Sequence, residues 1–182
     1  MIRLKDFKGQ FFEEKFWTLA PNLEDERFCK DKADLYAQEY YRLLKDAVNL
    51  RLRSDVAVGS ALSGGLDSSS IVYLVNESLK NQNAQNKQNT FSSVYTSKDE
   101  NFCDESYFID LVTQNLQVNS YKITPALQDI PCEHGKAIIA MENLFDGSAM
   151  SGWHTYKLTN EKGIKVTLDG QGADEHSAGY LH

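Results

Sequence analysis

The segment from Val56 to Val75 places the tightest constraint on what this chain can become. An apolar run, Val56-Ala57-Val58-Gly59-Ser60-Ala61-Leu62, passes directly into Ser63-Gly64-Gly65-Leu66-Asp67-Ser68-Ser69 and then into Ser70-Ile71-Val72-Tyr73-Leu74-Val75. A short apolar run, two glycines and a second apolar stretch predict strand, tight turn and helix. A helix N-terminus carries unpaired N–H groups and the positive end of the macrodipole, and adjacent glycines let the backbone close around an anion there. The expected guest is a phosphate. The loop lacks the Gly-x-x-x-x-Gly-Lys-Ser/Thr spacing of the common nucleotide triphosphatases, and Asp67 puts a carboxylate where the phosphate is expected. A divalent cation between two anions converts repulsion into a bridge, and Mg²⁺ suits the position because it binds few carboxylates and shares its remaining positions with phosphate oxygens. A lone Gly-Gly-x-Asp would be read as a turn with a capping Asp67 or Ser68. The full seven-residue string is more specific than that.

A second segment has the same grammar. Gly163-Ile164-Lys165-Val166-Thr167-Leu168 reads as a strand and runs into Asp169-Gly170-Gln171-Gly172-Ala173-Asp174-Glu175, with Gly179-Tyr180 shortly after. An isolated Asp-Glu pair is as readily a solvated turn; the glycines that follow a strand shift Asp174 and Glu175 towards function.

Between these motifs the chain alternates. Residues 1–30 carry Phe11-Phe12 and Phe16-Trp17 without sustained periodicity and are expected to form an extended arm or interdomain linker on the core, its aromatics simply packed. From Ala33 to about Arg53, Tyr36, Tyr40, Leu43, Leu44, Ala47 and Val48 share one helical face, expected to cover the first strand. A helix after the glycine turn should end near Lys80, and the polar stretch from Asn81 to Asn89 reads as a mobile surface loop. Phe91–Tyr95 is the second expected strand; Asp104 should cap a helix bearing Tyr107, Phe108, Leu111, Val112 and Leu116. Val118–Ile123 is the third strand, with helices over Leu127–Met141 and Trp153–Asn160 before the strand at Ile164. Strand–helix alternation implies an α/β fold, a parallel sheet with helices on both faces. In such sheets ligands bind outside the carboxyl ends of the strands, so the loops at Ser63–Ser69 and Asp169–Glu175 open on one side and Asp67 and Asp174 can meet.

Taken together, Ser63-Gly64-Gly65-Leu66-Asp67-Ser68-Ser69 resembles the pyrophosphate loop of the N-type ATP pyrophosphatases, which cleave ATP to AMP and pyrophosphate, and Asp169–Glu175 with Gly179-Tyr180 resembles the asparagine synthetase signature. Lys15-Phe16-Trp17-Thr18-Leu19 resembles the segment where such enzymes pass from their glutaminase to their synthetase domain. The resemblance implies an adenine nucleotide alpha hydrolase-like fold over residues 31–182. It implies ATP and Mg²⁺ as cofactors: Asp67 and Asp174 on the metal; Ser63, Gly64, Gly65, Ser68 and Ser69 around the pyrophosphate; backbone at Leu62 and Ser93 on adenine; and Gly170 and Gly172 giving the nucleotide close approach. The implied reaction activates a carboxylate, aspartate by resemblance, as an acyl-adenylate for attack by ammonia or an amine. The chain departs from the pattern at one place. Asparagine-forming relatives have Ser-Gly-Glu-Gly where this chain has Asp169-Gly170-Gln171-Gly172, and an amide does not accept a proton as a carboxylate does. Gln171 is thus expected to position, with Glu175 the candidate to substitute as base, and lactam-forming or peptide-cyclising chemistry, or a non-catalytic nucleotide-binding module, stand as alternatives.

The rest of the sequence sets bounds. A length of 182 residues with 41% hydrophobic content suits one core. The apolar stretches are too short for a bilayer and the N-terminus lacks a signal-peptide core, so a cytoplasmic location without membrane association is the default. Cys29, Cys103 and Cys132 are spaced too widely for a zinc or redox pair, and His134, His154, His176 and His182 form no metal-ligand spacing, although His176 is close enough to Asp174 to line the same cleft. A net charge of −7 without a long basic run argues against nucleic acid. A homodimer stays open. Met1-Ile2 offers no N-terminal cysteine of a glutaminase domain, and the chain ends at His182, before the helical region that in this family supplies a phosphate-contacting lysine; none of Lys157, Lys162 or Lys165 matches it. The expectation is a C-terminally truncated core that binds nucleotide with weak or no turnover.

Overall fold

A computed structural model describes residues 2–4, 11–13, 15–18, 29–82, 87–95, 104–144, 149–177 and 179. They fall into two compact units, Met1–Glu39 and Tyr40–His182. In the first, β1 (Ile2–Leu4) and β2 (Phe11–Glu13) pair antiparallel, Ile2 opposite Glu13 and Leu4 opposite Phe11. The arm therefore satisfies backbone groups within itself. Phe16 and Trp17, expected to pack, lie in a bend beyond both strands and are 82% and 67% exposed.

The second unit is built on a four-stranded parallel sheet. Its elements after α1 (Lys30–Arg51) are β3 (Val58–Ala61), α2 (Leu66–Asn81), β4 (Asn89–Ser93), α3 (Ser106–Leu116), β5 (Asn119–Ile123), α4 (Ile130–Met141), α5 (Met150–Glu161), β6 (Val166–Leu168) and the short α6 (Ala173–Ser177). The strands lie in the order β5-β4-β3-β6. Ser60 stands opposite Thr90 and Leu168, and Ser93 opposite Ile123. Successive units thus step outward from β3 to β5, after which the chain returns to add β6 on the other side of β3. Right-handed crossovers then put the helices of the outward and return steps on opposite faces of the sheet. The expected α/β architecture is what forms.

Three apolar clusters show how the layers hold. On one face Leu62, Val72, Val94 and Ile109 bring α2 and α3 onto the sheet, with Val112 and Leu116 against them. On the other, Phe91, Leu158 and Ile164 pack α5 against Tyr121 and Ile123. Phe91 is fully buried, worth about 1.5–3 kcal/mol relative to exposure. Gly59 makes room for it, since a Cβ there would stand 2.8 Å from the Phe91 ring and 3.2 Å from Ile164. The third cluster joins Val48 of α1 to Leu74 and Val75 of α2, with Leu44, Ile71 and Leu168 around them. Helix α1 therefore packs on α2 and the end of β6 rather than covering the first strand, because α2 turns straight back from β3 and already occupies that face. Tyr40 and Leu43 of the expected apolar face stay about half exposed.

Boundaries differ modestly from expectation. Strand β4 starts at Asn89, two residues before Phe91. The polar stretch read as a surface loop ends in the interior: Gln88 is 3% exposed and donates to Ser60 Oγ at 3.1 Å. Its carbonyl also accepts the Asn119 N–H, so the polar side chain is carried inward by a strand-edge backbone; residues 83–86 of the stretch lie outside the described residues. Asp104 accepts the Ser106 N–H at 3.1 Å and the Ser106 hydroxyl at 2.8 Å. It thus braces the first residue of α3 from just outside the helix, while the N-cap position itself falls to Glu105, which makes no side-chain cap bond. The Ser106 hydroxyl bond holds the Asp104 carboxyl below its ordinary value. The helix expected from Leu127 opens as a 3-10 turn, Leu127–Asp129, and becomes α-helical at Ile130 with Pro131 in its first turn. Among the described residues no helix is long and apolar enough to cross a membrane. Cys29 and Cys132 are exposed thiols, and Cys103 lies outside the described residues.

Candidate functional site

The strand order reverses between β3 and β6, and the two parallel strands finish at the same end of the sheet. At such a switch point the loops after the two strands diverge and leave a crevice at the carboxyl ends. The loop after β3 is Ser63-Gly64-Gly65; the loop after β6 is Asp169–Gly172.

The first loop is braced by its own serines. Ser68 Oγ donates to the Gly65 carbonyl at 3.2 Å and accepts the Ser63 N–H at 3.1 Å, the two hydroxyls lie 3.0 Å apart, and Ser63 Oγ accepts the Gly65 N–H at 3.3 Å. With the Ser68 proton committed to Gly65, Ser63 donates in the hydroxyl pair. Gly64 has φ +100°, and a Cβ there would press within 2.9 Å of Glu105 Cβ; only glycine meets both conditions. Gly65 caps α2 without a side chain, and the first intrahelical bond runs from Ser69 N–H to Gly65 O at 3.1 Å. The amides of Leu66, Asp67 and Ser68 precede that bond and have no acceptor within the helix, which leaves the end of α2 electropositive.

The expected residues divide accordingly. Ser63, Gly64, Gly65, Asp67 and Ser68 form the turn and the first helical turn, Asp67 half-buried and Ser68 buried. Ser69 is already inside the helix, its N–H taken, and lines a groove of about 210 Å³ with Tyr73, Leu111 and Leu116 between α2 and α3. Leu62 is 1% exposed; its N–H goes to Phe91 O at 2.9 Å and its carbonyl accepts Ser92 Oγ at 2.6 Å. Ser93, at the end of β4, bonds through its hydroxyl to Ser151 O at 3.0 Å and Thr155 Oγ1 at 2.9 Å on α5.

The second loop lies directly on the first. A Cβ on Gly170 would stand 2.7 Å from Ser68 N, 2.8 Å from Asp67 Cβ and 2.9 Å from Asp67 C, so glycine is what allows the contact. Asp169 holds the loop at its root: Oδ1 accepts the Gln171 N–H at 3.2 Å and Oδ2 accepts the Tyr156 hydroxyl at 2.9 Å. Burial, with the carboxylate beside it, raises the Tyr156 phenol above its ordinary value. Ala173 N–H returns to Gly170 O at 3.2 Å and starts α6, where Asp174 is half-buried and Glu175 exposed. Gly179 N–H reaches Asp174 O at 3.0 Å. Gln171 is exposed. Beneath the loop, Leu44, Val48, Arg51, Ile71, Gly170 and His176 are among the residues lining a cavity of about 320 Å³ between α1 and α2. The contribution of Tyr156 had no signal in the sequence, since its partner lies thirteen residues away on the far side of a strand.

A parallel sheet with helices on both faces and a glycine turn at its switch point defines an ATP pyrophosphatase-like α/β domain. Residues 39–182 match the asparagine synthase family model. The chain is 34% identical over 168 residues to a putative glutamine-hydrolysing asparagine synthetase 2 of Methanocaldococcus jannaschii, covering 91% of this chain and 30% of that protein. It is 32% identical over 151 residues to glutamine-hydrolysing asparagine synthetase 1 of Bacillus subtilis, covering 81% of this chain and 22% of that protein, and 30% identical over 175 residues to amidase chyE of Penicillium rubens, covering 92% and 26%. The chain belongs to the asparagine synthase family, and it spans less than a third of the length of these relatives.

Proposed function

We propose that this domain is the ATP-using core of an amide-forming ligase of asparagine synthetase type. A substrate carboxylate attacks the α-phosphorus of ATP, pyrophosphate leaves, and ammonia or an amine displaces AMP from the acyl-adenylate. The observation that carries the reading is the seating of Gly170 on Asp67 and Ser68, which joins the two loops into one crevice at the electropositive end of α2. The free amides of that first turn, with Ser63, Gly64 and Gly65, would hold the pyrophosphate portion. Asp67 and Asp174 supply hard carboxylate oxygens that fit Mg²⁺, which would offset charge on the phosphates. Leu62 and Ser93, at the ends of the two strands beside the turn, would border the adenine. Its use of ATP would place the protein in the cytoplasm, with a glutaminase as ammonia source.

The test is calorimetric titration of the chain with ATP, with and without Mg²⁺, alongside Asp67→Ala and Asp174→Ala. Metal-dependent binding lost in both variants is the expected result; metal-independent binding, or binding untouched by either substitution, would refute the assignment of the carboxylates.

Gln171 favours a second reading of the substrate pair. An amide at that position cannot take the proton from an attacking amine, and Glu175, in the first turn of α6, is the carboxylate four residues away that would act instead. The acceptor would then differ from ammonia, or the acyl group from aspartate. Pyrophosphate release measured across a panel of carboxylates and amines separates the two: release with aspartate and ammonia alone would eliminate the second.

A further inference from the structure

Helix α5 touches both strand ends that flank the glycine turn, and does so through consecutive residues. Thr155 bonds Ser93 at the end of β4, and Tyr156 bonds Asp169 at the end of β6. Strand β3 lies between those two strands. The helix itself is fixed on the sheet by Leu158 against Phe91 and Ile164, so its position is set by core packing rather than by the loops.

Asp169 converts that fixed helix into a fixed loop. One carboxylate oxygen takes the Tyr156 hydroxyl and the other takes the Gln171 amide, and the residue between Asp169 and Gln171 is Gly170, pressed on the Asp67–Ser68 peptide with no room for a Cβ. A displacement of the loop would therefore be passed to the first turn of α2. Both oxygens of the Asp169 carboxylate thus accept a hydrogen bond, one from a neighbouring helix and one from within the loop.

We propose that Asp169, anchored by Tyr156, is a positioning residue that clamps the Gly170 turn onto the first turn of α2 and so sets the geometry of the phosphate-binding amides. The role in nucleotide binding rests on the function proposed above; the clamp itself does not. The two are separated by measuring amide resonances of the nucleotide-free chain and, independently, Mg²⁺·ATP affinity, in Tyr156→Phe, Asp169→Asn and the double variant. Tyr156→Phe keeps the ring and removes only the donor, while Asp169→Asn keeps one acceptor for Gln171.

In the nucleotide-free chain the expected result is movement of the Gly170, Asp67 and Ser68 amide signals in both single variants, with near-native thermal midpoints. Unmoved Asp67 and Ser68 signals would overturn the clamp. Each single variant should weaken Mg²⁺·ATP binding by about fivefold, the scale of one ordinary solvent-accessible hydrogen bond, and the double variant should be no weaker than either single, because both remove the same bond. Multiplicative losses, or unchanged affinity in Tyr156→Phe, would overturn the positioning role. If the unaltered chain does not bind Mg²⁺·ATP, the nucleotide reading fails, and moved amide signals would still support the clamp.

Discussion

Gly170 is the residue on which the site depends most directly. Its neighbours are backbone and Cβ atoms of another element, so they cannot swing aside as a side-chain tip would. Gly170→Ala is expected to lose about 1–3 kcal/mol, as overpacking typically does, and to weaken nucleotide binding because the displaced atoms belong to Asp67 and Ser68; chemical denaturation and calorimetry on one sample check both. Gly64 is constrained twice, by φ and by Glu105. The sequence named both glycines for the turns they make. It could not show that Gly170 is needed for contact with a segment a hundred residues earlier, because such contact exists only once β3 and β6 are neighbours. Ser69 illustrates the converse: adjacent to the motif in sequence, it is turned by helical periodicity towards α3.

Helices α4 and α5 are joined by one buried carboxylate. Glu133 accepts Lys136 Nζ at 2.8 Å, Lys157 Nζ at 3.3 Å and Trp153 Nε1 at 2.9 Å. These partners, Lys136 and then Trp153 foremost, hold its pKa at about 2 against an ordinary 4.5. A depressed folded value contributes stability that is complete above the unfolded value and is lost as pH falls through the folded one. His154, buried beside it with Nε2 unbonded, is kept neutral by desolvation, its pKa below the ordinary 6.5. Stability should therefore decline on acidification, first as His154 is forced to protonate and then between pH 4.5 and about 2 as Glu133 does; Glu133→Gln should flatten the second limb in equilibrium unfolding followed across pH. On the sheet, Gly59→Ala would drive a Cβ into the fully buried Phe91 ring, an overpacking expected to cost about 1–3 kcal/mol, read as a lowered thermal midpoint. Element types were legible because strand and helix periods differ, and β5 and α2 fall close to where the pattern puts them. Helix α1 was misassigned to β3 since an apolar stripe says that a face is buried, not against what.

For the whole molecule, ligand linkage gives the broadest check. Mg²⁺·ATP at a hundredfold excess over its dissociation constant should stabilise the chain by about 2.7 kcal/mol, seen as a raised unfolding midpoint that Asp67→Ala abolishes; an unchanged midpoint at saturating nucleotide would count against the crevice as a binding site. The sequence by itself determined the fold class and the two loops, because strand–turn–helix alternation is a local pattern and glycines at helix starts are a local chemical requirement. It also determined that the segments after β3 and β6, which carry Asp67 and Asp174 into the first turns of α2 and α6, open at one end of a parallel sheet, which follows from strand direction alone. Tertiary structure decided the rest: that β6 returns beside β3, so Gly170 meets Ser68; that Gln88 is interior; and that α5 reaches both flanking strands through Thr155 and Tyr156. Those are contacts between residues far apart in the chain, fixed by which surfaces bury each other, and no local pattern encodes them.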